Sequence, residues 1–94
     1  MTKKTITTFP ANKMTVAEFI NWYDRLDGRT ESAWLIDAEG SIKYKVGYDG
    51  NDFYLRESKH RLGMFSRAMS EEETINLDGL TCDIRECKSY HAGY

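Results

Sequence analysis

Two cysteines and two histidines supply all the thiol and imidazole chemistry of this 94-residue chain. Cys82 and Cys87 stand five positions apart, roughly 16 Å in an extended strand, whereas a disulfide needs its Cα atoms within about 7 Å. They would also face opposite sides of a strand, so both read as free thiols, and the disulfide framework of a small secreted protein is excluded. A zinc site lacks support as well. Cys87 and His91 have a tolerable ligand spacing, but the usual second close pair is missing. No metal and no cofactor are expected.

Long apolar runs are missing too. The basic start Met1-Thr2-Lys3-Lys4 leads into no apolar stretch of signal-peptide length, and nothing approaches the ~18 residues of a membrane span. The expectation is a cytoplasmic protein, of a cell or of an infected host, without membrane contact. Nor is one sign of charge in excess: 13 basic against 15 acidic residues leave a net charge of −2. That makes no whole-molecule case for nucleic acid. Recognisable catalytic loops are absent: no G-x-S-x-G, HExxH, P-loop or GxGxxG occurs. A nucleophile needs a base within hydrogen-bond reach, and His60 and His91 fall in segments without a firm scaffold. Five of the fifteen carboxylates (Asp37, Glu39, Asp49, Asp52, Asp78) sit on turns, where turn chemistry explains them. The chain therefore reads as no enzyme, with a reactive Cys87 or His60 as the third-ranked alternative.

What is present is apolar mass. Hydrophobic residues make up 40%, with six Tyr, four Phe and two Trp, enough to close a small core and unlike a disordered chain. One domain over 1–94 is expected, with residues 1–3 and 88–94 as flexible ends and no repeat or linker.

Residues 4–9 read as a short strand ended by Pro10, with Ala11–Met14 as a connector. Thr15 and Glu18 form a capping box, and Val16, Phe19, Ile20, Tyr23 and Leu26 follow at helical spacing, predicting a helix over 15–27 with Gly28 past its end. Ala38-Glu39-Gly40 predicts a three-residue hairpin loop, pairing Ile36 with Ile42 and Trp34 with Tyr44 on one inward face. Asp49-Gly50 predicts a two-residue turn, pairing Val46 with Phe53, Tyr44 with Leu55 and, outside, Lys43 with Arg56. Ser58–Met69 reads either as a weak helix or as a loop with helical turns. Gly63 and the cations Lys59, His60 and Arg61 at its start count against the helix. Asp78-Gly79 predicts a third hairpin, pairing Leu77 with Leu80 and Ile75 with Cys82. The order is β-α-β-β-β-(α?)-β-β, an α+β fold with a twisted, mainly antiparallel sheet and the helix on its apolar face.

Three surface features remain. Alternation places Lys43, Lys45, Tyr54 and Arg56 on the outer face of the meander. Arg56, Lys59, Arg61 and Arg67 precede a run of three Glu at 71–73, a segregation that reads as internal ion pairing or a recognition surface. Trp22 lies on the helix flank, and Tyr90 and Tyr94 lie in the tail, none with an assigned core role; Tyr and Trp are favoured interface anchors, and the equal alternative for Trp22 is that it covers a sheet edge. The candidate interaction set is thus Trp22, Tyr54, Lys43, Lys45, Arg56, Arg61 and Arg67. The functional expectation is a binding module acting through protein–protein contact, such as an accessory or inhibitor protein of the kind phages and mobile elements carry. A nucleic-acid or nucleotide binder using the basic face is the alternative. An uncovered strand edge would also allow a homodimer.

Overall fold

The helix begins where its capping box requires. In the computed structural model, which describes residues 3–26, 32–58 and 65–85, α1 spans Val16–Asp24. The Glu18 N–H donates to Thr15 Oγ1 at 3.1 Å, and the Thr15 N–H donates to Glu18 Oε1 at 3.0 Å. The next two N–H groups donate to a neighbouring loop, Val16 to the Glu73 carbonyl (2.8 Å) and Ala17 to the Glu71 carbonyl (3.2 Å). Donors that a helix start leaves without intrahelical partners are thereby satisfied. The helix stops earlier than its spacing predicts, with Arg25 as C-cap; Gly28 lies outside the described residues.

The described residues form eight strands, in chain order β1 (Lys3–Ile6), β2 (Lys13–Thr15), β3 (Ser32–Ile36), β4 (Ile42–Tyr48), β5 (Phe53–Ser58), β6 (Phe65–Ala68), β7 (Thr74–Asn76) and β8 (Thr81–Arg85). Six form one sheet, ordered β1-β8-β3-β4-β5-β6, and β2 pairs with β7 in a small second sheet. Every pairing is antiparallel, and the fold is α+β as expected. Val16, Phe19 and Tyr23 of the helix meet Ala33, Leu35, Val46, Leu55, Cys82 and Ile84 of the large sheet. Met14 and Ile75 of the small sheet close the same core.

Several local expectations are corrected. β1 ends at Ile6 rather than Phe9, because Phe9 leaves the strand to pack on Trp22, with ring centroids 5.4 Å apart. The connector before the helix is a strand: Met14 is buried opposite Ile75 in β2 and β7. Asp78-Gly79 is a turn, closed by the Leu80 N–H on the Leu77 carbonyl at 3.1 Å. It does not make a hairpin, since β7 pairs with β2 while β8 enters the large sheet between β1 and β3. The four residues placed on its inner face, Ile75, Leu77, Leu80 and Cys82, are nonetheless all buried. Within Ser58–Met69, Ser58 ends β5 and Phe65–Ala68 form β6, paired with β5, in place of a helical turn; residues 59–64 lie outside the described residues.

The two meander turns keep their positions but shift partners. At the first, Gly40 adopts φ +88, the left-handed conformation that suits glycine, and Ile36 faces Ile42 as expected. A bulge then intervenes, so Tyr44 faces Leu35 instead of Trp34, and Trp34 faces Lys45. At the second, Asp49 Oδ1 accepts from the Asn51 and Asp52 N–H groups, both at 2.9 Å. This carboxylate-capped turn makes the loop four residues long, so Val46 faces Leu55 and Lys45, not Lys43, faces Arg56. The slip is two positions, so every residue of β5 keeps its predicted face.

Candidate functional site

The corrected registers build one row across the outer face of the large sheet. Thr5, Asp83, Trp34, Lys45, Arg56 and Ala68 stand opposite one another in turn, on β1, β8, β3, β4, β5 and β6. α1 and the small sheet pack on the other face, and no described element covers this one. The middle of the row combines an indole with two cations. Lys45 Nζ stands 5.8 Å from the centre of the Trp34 ring, a favourable position for an ammonium over a π face. Arg56 is the next residue across.

Tyr54 joins them one step along, facing Gly47. A Cβ on Gly47 would stand 2.6 Å from Tyr54 Cζ, so glycine here lets the phenol ring cross β4, and the glycine itself is buried. Gly47→Ala is expected to displace the ring and lower stability by about 1 kcal/mol. In a Tyr54→Ala background the same change should cost almost nothing, which a double-mutant cycle by urea denaturation would read. Equal costs in both backgrounds would mean that the ring does not occupy that space.

Of the sequence-predicted set, Lys45, Tyr54 and Arg56 are brought together, all half-buried. Lys43 is exposed beside them as the residue the bulge leaves without a counterpart. Trp22 belongs elsewhere: its ring lies 5.4 Å from both Phe9 and Phe19 at the margin of the core. Arg61, like His60, Cys87, His91, Tyr90 and Tyr94, lies outside the described residues. Trp34 is the site residue missed by the sequence reading. Ala33-Trp34-Leu35-Ile36 is apolar throughout and fits either face, so periodicity could not tell which side the indole takes.

Arg67 is committed to an ion pair. Its guanidinium meets the Glu73 carboxylate through two bonds, Nη1 to Oε2 at 2.8 Å and Nη2 to Oε1 at 2.9 Å. The Ser70 N–H also donates to Glu73 Oε2 at 2.8 Å. The guanidinium, then that backbone donor, hold the Glu73 carboxyl down at about 2, below its usual 4.5. A depressed carboxyl contributes stability that is complete above its unfolded value and is lost as pH falls through its folded one. Stability should therefore decline between about pH 4.5 and 2, and Arg67→Gln should flatten that decline in thermal melts. Parallel declines in the two proteins would show that the pair adds nothing.

The remaining chemistry is sparse. Burial, then the charge of Asp83, pushes the Cys82 thiol up to about 12, far from a reactive thiolate. Beside the helix an open cleft of about 290 Å³ is lined by Ala17, Ile20, Asn21, Asp24, Asp52 and Glu71. Among the described residues no group of three His, Cys, Asp or Glu is arranged to hold a metal ion, and no helix is long and apolar enough to cross a membrane. The chain matches no family model, no curated protein and no solved structure.

Proposed function

We propose that the chain is a small non-enzymatic binding module, of the accessory or inhibitor type, acting through protein–protein contact on the outer face of its large sheet. The observation that carries this is the row Trp34–Lys45–Arg56, flanked by Tyr54, on a sheet face that no described element covers. Trp, Tyr and Arg are the side chains that most often anchor protein interfaces, because they bury large areas and desolvate well. Trp34 beside two cations also favours a second reading, a single-stranded nucleic-acid binder with the indole as a stacking platform.

Affinity capture from cell lysate, with and without nuclease, separates the two. The wild type should retain a protein after nuclease treatment that Trp34→Ala and Lys45→Glu/Arg56→Glu lose, both variants melting like the wild type. Nuclease-sensitive recovery would move the assignment to the second reading. A partner retained equally by both variants would remove this face from consideration.

A further inference from the structure

The cations of the outer face stand inside a fence of carboxylates. Lys45 and Arg56 oppose each other on β4 and β5, with exposed Lys43 beside them. The turn at one end of β4 carries Asp37 and Glu39, and the turn at the other carries Asp49 and Asp52. Lys45 is the middle residue of β4, so each turn begins roughly 13 Å from it along the strand. In the direction of β8 the row continues from Trp34 to the buried Asp83, so no cation extends it there. The chain as a whole carries −2.

A nucleic-acid strand brings a phosphate with every nucleotide and gains from a long, continuous cation track. Laid along β4 it would run onto an acidic turn at either end. Laid across the strands, it would meet only two cations, Lys45 and Arg56, between Trp34 on one side and Ala68 on the other. A short acidic protein segment avoids both. Two or three carboxylates match Lys43, Lys45 and Arg56, and a guanidinium can take a carboxylate through two parallel N–H bonds. Trp34 and Tyr54 add apolar area at its flanks. Resting on the outer face being the contact surface, we infer that its occupant is an acidic segment of a partner protein, seated on Lys43, Lys45 and Arg56 between the two acidic turns.

Fluorescence anisotropy on the full chain tests this with two labelled probes, a peptide of alternating Glu and Ser and an oligothymidine of equal charge. The peptide should bind saturably, weaken with added salt, and weaken at least about tenfold, or 1.4 kcal/mol, in Lys45→Glu/Arg56→Glu. Lys13→Glu, on β2, should bind the peptide as the wild type does, and oligothymidine should bind no more tightly than the peptide. If the double variant fails to fold, Lys45→Gln/Arg56→Gln should show a loss in the same direction. Absence of saturable binding, indifference to the double variant, or tighter binding of oligothymidine would each overturn the inference. A captured protein lost by Trp34→Ala but kept by Lys45→Glu/Arg56→Glu would overturn the acidic occupant and leave the contact face standing. One kept by both would remove the face itself.

Discussion

Replacing Phe19 by alanine is expected to cost about 3–5 kcal/mol, a large share of the roughly 5–15 kcal/mol by which a domain of this kind is stable. Phe19 is fully buried, with Trp22 5.4 Å and Tyr23 6.2 Å away, centroid to centroid. It comes from the only described helix and packs in the same cluster as residues of both sheets. Truncation would remove transfer energy and leave a cavity that a sheet cannot close by local collapse. Urea denaturation should show a lower midpoint at unchanged slope, and thermal melting should fall by more than about 10 °C. Trp22→Phe, at the half-buried margin, should cost far less. A loss below about 1 kcal/mol for Phe19→Ala would mean that the helix is not docked as described.

Reversing the charge at Lys45 and Arg56 should separate binding from folding. Both side chains are only half-buried and stand directly opposite each other, where like charges are mildly destabilising. Lys45→Glu alone converts that pair into an attractive one. It also removes the ammonium from the Trp34 ring, so the net change in stability should stay within about 1 kcal/mol. Partner affinity should move much more. An acidic partner would meet a repulsive charge where it had an attractive one, and the double variant should lose at least about tenfold, mainly through slower association at low salt. A variant that melts like the wild type and binds like it would contradict the proposed surface.

How far the sequence disclosed this arrangement differs from element to element. The helix was legible from Thr15 because its capping box and apolar spacing are local, whereas its end depends on packing that spacing does not record. The loop at 38–40 was legible because Gly40 needs a left-handed backbone. At Asp49 the turn was seen but its length was not, since the carboxylate gathers two N–H groups and draws four residues into the loop. A slip of two preserves alternation, so Lys45, Tyr54 and Arg56 were assigned the right face with the wrong neighbours. Trp34 went to the wrong face because one bulge reverses inside and outside for all that precedes it. β2 and β6 were missed because strands of three or four residues are too short to show a period, whereas β7 was expected as a strand but with β8 rather than β2 as its partner. The turn at Asp78-Gly79 was found. That β8 inserts between β1 and β3 is a long-range pairing no local pattern encodes.

The most direct test of the outer face as the contact surface is lysine acetylation read by mass spectrometry, with and without the captured partner. Lys13, exposed on the small sheet, serves as the internal reference. The partner should protect Lys43 and Lys45 several-fold and leave Lys13 unchanged. Protection of Lys13 with Lys43 and Lys45 still fully reactive would place the contact away from the row through Trp34, Lys45 and Arg56 and contradict the account.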